Sequence, residues 1–278
     1  MSDGRDAEGT PARIVAVANQ KGGVGKTTTA VNLSAALAEQ GYRVLLVDLD
    51  PQANSTSGVG LRVDRVETTV YDVLVNGVAA EDSVEPTALR NLFVVPSSID
   101  LAGAEIELVS AFSREQKLRT ALNGLRDEFD VIITDCPPSL GLLTINALTA
   151  ADGLLVPIQC EYYALEGLGA LRRNAELIRA NLNSGLRVVG YVLTMHDGRT
   201  RLSEQVVNEV IEHFGDQVCR TRIPRSVRLA EAPSYAQPIT VFDPASRGAV
   251  AYHRLGQEVI ERLDALGAPA ATTRGGAA

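Results

Sequence analysis

Tryptophan is absent from the 278-residue chain, aromatic residues amount to 4%, and methionine occurs twice. A core must therefore rest on Val, Leu, Ile and Ala, and hydrophobic residues at 45% are enough to build a sizeable one. The three cysteines, Cys136, Cys160 and Cys219, stand far apart, which excludes a disulfide framework or a cysteine-held metal cluster. His196, His213 and His253 are equally scattered. No apolar run approaches the roughly 18 to 20 residues that cross a bilayer, and Met1 to Thr10 are too polar for a signal peptide. The expectation is a cytoplasmic protein. Positive charge is also short: Lys+Arg is 26 against Asp+Glu at 34, a net charge of −8. That argues against binding nucleic acid over the whole surface, although it leaves local basic patches open. Lysine is scarcest of all. Of Lys21, Lys26 and Lys117, two lie on one short loop, which points to a chemical requirement there.

Residues 1–12 and 267–278 are polar or small and are expected to be disordered tails around one domain, residues 13–266. Within it, short apolar runs at 13–18, 43–47, 91–95, 131–134, 153–157 and 187–193 read as buried strands, with a weaker one at 217–223. Helical spacing marks 26–40, 165–182, 203–214 and 249–266, and Gly41 ends the first as a C-cap. Near-continuous apolar strands alternating with helices predict a doubly wound α/β fold, its mostly parallel sheet covered on both faces. In such folds ligands sit beyond the strand ends, where the polar residues of this chain concentrate.

The first strand runs into Asn19-Gln20-Lys21-Gly22-Gly23-Val24-Gly25-Lys26-Thr27-Thr28, followed by a helix. That is the setting of a phosphate-binding loop. Glycines let successive N–H groups turn toward phosphate oxygens, and the helix adds its positive end. Lys26 can reach the β- and γ-phosphates, and the Thr27 hydroxyl can ligate Mg²⁺. The usual opening glycine is replaced by Gln20, and Lys21 follows it, placing a second cation by the phosphates. Two strand ends supply carboxylates: Asp48 and Asp50 in Val47-Asp48-Leu49-Asp50-Pro51-Gln52, and Asp135 in Ile133-Thr134-Asp135-Cys136-Pro137-Pro138. Near Mg²⁺ and a γ-phosphate such groups hold metal-bound water or orient the attacking water. Capping and turn formation are the plainer roles for a lone Asp, but the phosphate loop favours chemistry here.

These three motifs together resemble the deviant-Walker P-loop ATPases. Glu161-Tyr162-Tyr163-Ala164-Leu165-Glu166-Gly167, Asp197-Gly198-Arg199-Thr200 and the stretch from Ile223 to Ser234 are similar to the ParA/Soj chromosome-partition branch. The resemblance covers roughly residues 13 to 266. It implies an ATP- and Mg²⁺-dependent dimerisation switch in which Lys21 reaches across an ATP-sandwiched homodimer to the partner's phosphates. It also implies that Asp50 orients the attacking water, that Asp48 and Asp135 belong to the two switches near Mg²⁺, and that Pro224 borders the adenine. Arg199 and Arg228 match arginines that the branch uses to bind double-stranded DNA without sequence preference, and a ParB-type centromere-binding protein would stimulate hydrolysis. Charge patterning supports the DNA expectation separately. Arg220, Arg222, Arg225 and Arg228 share nine residues with no acid among them, and Arg199 and Arg201 form a second small cluster. An ordinary solvated face with ion pairs is the competing interpretation.

Other functions on the same frame are weighed against this one. Some plasmid relatives carry a helix-turn-helix domain ahead of the loop, which the residues before Arg13 do not supply, so sequence-specific operator binding is not expected. MinD-like proteins end in a basic amphipathic membrane helix, whereas Glu258 to Leu266 present acids, so no membrane recruitment is expected. Metal-cluster or amide-forming enzymes and a non-catalytic nucleotide-binding scaffold are the remaining alternatives. Tyr162 and Tyr163 are read as packing or dimer contacts, and Asn54 and Ser139 as helpers of the switches.

Overall fold

The computed structural model describes residues 11–161 and 168–267, and Tyr162, Tyr163 and most of both expected tails lie outside them. Seven strands form one sheet: β1 (Arg13–Val17), β2 (Val44–Asp48), β3 (Glu85–Pro86), β4 (Leu92–Val95), β5 (Val131–Asp135), β6 (Gly153–Gln159) and β7 (Arg187–Thr194). Their order is β3-β4-β2-β5-β1-β6-β7, with every pairing parallel except the short antiparallel β3–β4. The strands themselves show why both faces are covered. Ile14, Ala16, Leu45, Val47 and Ile132 point to one face, and Val15, Val17, Val44, Leu46 and Ile133 to the other. All are apolar, so each face must be buried, as in doubly wound sheets.

Helix α1 (Lys26–Glu39) packs on the second face beside α10 (Arg247–Gly267), with α2 (Asn54–Gly58), α8 (Val227–Glu231) and α9 (Ile239–Phe242) nearby. The first face carries α3 (Leu101–Glu107), α4 (Lys117–Asn123), α5 (Leu142–Ala150), α6 (Leu168–Asn181) and α7 (Arg201–Phe214). Gly41 has φ of 98° just beyond α1, the left-handed conformation that ends a helix. Residues expected in the tails reach slightly into the fold. Ala12 is fully buried and its N–H donates to the Arg126 carbonyl at 2.8 Å, while α10 extends to Gly267.

The weak strand expected at 217–223 does not form. This segment runs beside β7 and touches it through Tyr191–Val218 and His196–Pro224 bridges. Its central N–H groups, those of Arg220 and Thr221, instead donate to the Glu258 carboxylate of α10 at 2.7 and 2.9 Å. A side chain takes the donors that a ladder would need.

Candidate functional site

The phosphate loop springs from β1, which lies in the sheet between β5 and β6. Gly23 and Gly25 adopt φ of 75° and 87°, conformations that a side chain would strain. Asn19 shapes the entry to the loop: its amide donates to the Pro157 carbonyl, and its oxygen accepts the Lys21 N–H at 3.1 Å. The Thr194 hydroxyl at the end of β7 donates to the Val24 carbonyl at 2.8 Å, bracing the loop from another strand. The buried Lys26 ammonium rests on the Lys21 carbonyl at 3.1 Å. Burial lowers its pKa from the ordinary lysine value, against the opposing pull of Asp135 and Asp50.

Asp48 and Asp135 are register partners at the ends of β2 and β5, and both are fully buried. Asp48 accepts hydrogen bonds from the Thr56 N–H and hydroxyl, each at 2.8 Å, and from the Asp50 N–H at 3.1 Å. Asp135 Oδ2 accepts the Ser55 hydroxyl at 2.7 Å, while its buried Oδ1 has no hydrogen-bond partner. Asp50, nearly buried, accepts the Gln52 N–H at 3.0 Å. An orphaned carboxylate oxygen flanked by hydroxyls is a hard oxygen donor set, and it fits Mg²⁺. Among the described residues no three acidic, His or Cys side chains form a metal cage. A cation here would thus complete its shell with phosphate oxygens and water, the usual habit of Mg²⁺.

Burial raises both carboxyl pKa values above the ordinary 3.8, with the neighbouring Asp50 adding to it for Asp48 and the Asp48 charge for Asp135, which reaches about 7. These two groups in the folded protein therefore keep protons that the unfolded chain releases above 3.8. Their contribution to stability without nucleotide then falls as pH rises from 3.8 toward 7, the sign opposite to that of a salt-bridged acid. Asp135→Asn should raise the apo melting temperature at pH 8 by about 2–4 °C for each kcal/mol relieved, with the gain vanishing near pH 4. Scanning calorimetry at the two pH values checks it, and an unchanged or lower value at pH 8 would refute the reading.

Beyond the loop, Gly25, Thr28, Met195, Pro224, Leu229 and Tyr252 line a cavity of about 360 Å³. Its apolar walls and its place beside the phosphate loop suit a purine, and Pro224 is one of its lining residues. Asn32 closes the neighbourhood, donating to the Thr28 carbonyl and accepting the Ile239 N–H at 2.6 Å. Asn19, Asn32, Ser55, Thr56, Thr194 and Tyr252 received no role from the sequence. The spacing of Ser55 and Thr56 after Asp48 was the one available cue; Thr194 and Tyr252 reach the loop only through the fold.

The expected DNA-contacting arginines sit on two joined segments. The His196 N–H donates to the Ile223 carbonyl and the Arg225 N–H to the His196 carbonyl, each at 2.9 Å, bringing the Arg199 turn to the 222–228 segment. All four have acidic neighbours, Arg225 acting on Asp197 through its charge alone. Arg199, 90% exposed, forms a two-pronged pair with Asp197, whose pKa that contact depresses well below the ordinary value. Arg228 pairs with Asp243 and Glu231 and covers the Phe242 ring, and Arg222 lies 3.6 Å from Glu204. Exposed pairs of this kind are screened by solvent and hold their partners weakly.

With this geometry established, comparison with known proteins is informative. A family model described as an AAA domain matches residues 12–188. The sporulation initiation inhibitor protein Soj of Bacillus subtilis is 56% identical over 89% of this chain and 98% of its own length. The chromosome-partitioning protein ParA of Myxococcus xanthus is 51% identical over 94% and 93%.

The chain belongs to the ParA/Soj family of chromosome-partitioning ATPases.

Solved structures extend the ParA/Soj comparison. A Mycobacterium smegmatis protein described as cobyrinic acid a,c-diamide synthase, with bound ADP and magnesium, superimposes with a TM-score of 0.81 at 39% identity, covering 91% of this chain and 96% of that one. The Pyrococcus furiosus cell division ATPase MinD gives 0.74 at 30% identity, covering 90% and 99%. The doubly wound ParA/Soj fold is thus shared with nucleotide-bound relatives.

Proposed function

We propose that this ATPase is a dimerisation switch for moving DNA, in which bound ATP and Mg²⁺ join two copies into a form that holds double-stranded DNA without sequence preference. The observation that carries the reading is the meeting of a two-lysine phosphate loop with the Asp48–Asp135 pair beyond the ends of the central strands β1, β2 and β5. The loop N–H groups of residues 22–27 and the Lys26 ammonium would hold the phosphates, with Thr28 beside them. The Thr27 hydroxyl and Asp135, with Asp48 behind, would hold Mg²⁺, which neutralises charge developing on the phosphates. Asp50 would orient the attacking water, and Lys21 would contact the phosphates bound by the other copy.

Arg199, Arg222, Arg225 and Arg228 would meet the DNA backbone. With no arginine of the chain assigned to the phosphates, basal turnover should be slow and a ParB-type centromere-binding protein should accelerate it. Nucleoid association follows from the DNA contacts. ATPase activity measured alone, with nonspecific DNA, with the ParB-type partner and with both tests the reading; absence of joint stimulation would overturn it. Arg199→Glu with Arg228→Glu should abolish nonspecific DNA binding while leaving ATP binding unchanged. Each lost phosphate contact should flatten the salt slope by about 0.9, and an unaltered slope in a filter-binding titration would show the patch to be misplaced.

The likeness to MinD keeps one second reading, a positioning ATPase acting at the membrane. Glu258 and Glu261 of α10 engage Arg220 and Arg262, so this end of the helix carries acids where a helix anchoring to anionic lipid would be rich in bases. ATP-dependent co-sedimentation with anionic liposomes that required α10 would favour it over DNA.

A further inference from the structure

The segment that follows β4 carries two opposed apolar stripes. Leu101, Ala104 and Leu108 are buried in the core. Ile99, Ile106, Val109 and Phe112 point outward and are 68%, 78%, 59% and 93% exposed. Single exposed apolar residues are ordinary, but four large ones within fourteen positions, Ile106 and Val109 on one helical turn with Ile99 before it and Phe112 after it, are a concentration that marks an interaction surface. Its rim is mainly acidic: Asp100 and Glu107 lie among these residues, and no lysine or arginine occurs between Arg90 and Arg114, whose guanidinium meets the Val109 carbonyl at the far end.

This surface is mechanically tied to both strand-end carboxylates. At its start, the Ser97 N–H donates to the Thr56 hydroxyl oxygen at 3.0 Å, and that hydroxyl donates to Asp48. Along α3, the Glu105 carboxylate occupies the space that a side chain at Gly141 would need, on the turn that leads from Asp135 into α5. At its end, the Arg114 carbonyl accepts the Asn146 amide of α5 at 2.8 Å. A ligand that moves α3 therefore moves the supports of Asp48 and of the turn after Asp135.

We propose that the outer face of α3 and its following turn is the docking site for a basic amphipathic segment of the protein that stimulates hydrolysis. Apolar side chains of that segment would cover Ile106 and Phe112, and its lysines or arginines would face the acidic rim. Docking would act on catalysis through the Ser97–Thr56–Asp48 chain and the Glu105–Gly141 contact. This inference rests on the partner-stimulated ATPase proposed above.

The test uses full-length protein and, as probe, a synthetic peptide of the N-terminal segment of the ParB-type protein from the same replicon. Ile106→Ser with Phe112→Ser should reduce stimulation by about tenfold or more, the usual effect of removing apolar anchors from a contact. Ile106→Arg should reduce it further by repelling a basic ligand. Basal turnover, ATP-dependent dimerisation and DNA binding should stay at wild-type levels, since these side chains lie in solvent. Full stimulation of both variants would overturn the docking site alone. Loss of the ATP dimer in the variants would also overturn it, because the face would then join two copies of this chain. A wild-type protein that no ParB-type partner stimulates would remove the underlying function and this site with it.

Discussion

Asp50→Ala should lower ATP turnover by about 10²-fold or more, the range expected when a group that handles the attacking water is removed. ATP binding should survive, because the loop N–H groups and Lys26 are untouched. The ATP-bound dimer should consequently persist, and DNA carrying it should stay coated long after free nucleotide is removed. The fold should tolerate the change. Asp50 gives up the hydrogen bond from the Gln52 N–H, and the Asp50 N–H to Asp48 is a backbone contact that alanine retains. The loss is about 1 kcal/mol, so the variant should remain folded. Phosphate release in a single turnover and dissociation from a DNA-coated surface measure both halves of the effect. Turnover at the wild-type rate would take the water-positioning role away from Asp50.

Lys21→Ala should separate ATP binding from dimerisation. Two contacts that shape the loop are made by the Lys21 backbone: its N–H donates to Asn19, and its carbonyl accepts Lys26. Alanine keeps both, so the phosphate cradle should retain its shape and ATP affinity should change little. Removing one partner of a desolvated charge contact across an interface costs about 2–5 kcal/mol, enough to dissociate an ATP dimer at micromolar concentrations. Light scattering with ATP should report a monomer, and DNA binding should weaken with it if the dimer is the binding species. An undiminished dimer would refute the contact across the interface.

How much of this was legible in the chain depends on how far apart the interacting groups lie. The long strands announced themselves because their residues are apolar on both faces, and the phosphate loop because glycines and lysines crowd one turn. Asp48 and Asp135 were readable as strand-end acids, but their direct apposition depends on the register of β2 against β5. Segment 217–223 misled because its apolar character suits a strand, while Glu258, far along the sequence, captures its N–H groups. The two-residue β3 left no apolar run to detect, since it consists of Glu85 and Pro86. The arginine-rich stretch looked free of acids for a related reason. Glu204, Asp243, Glu258 and Glu261 arrive from other elements, and only Glu231 is close in sequence.

The diversion of the Arg220 and Thr221 N–H groups to Glu258 also governs how copies of this protein can associate. A sheet whose last strand offers free donors invites another chain to extend it, the route to uncontrolled fibres. On one flank the irregular segment covers β7 and has its own donors occupied by a carboxylate. On the other, β3 is two residues long and contains Pro86, which has no N–H to give. Both borders are closed to strand addition. Any ordered polymer of this chain is therefore expected to grow through side-chain surfaces instead of backbone hydrogen bonding.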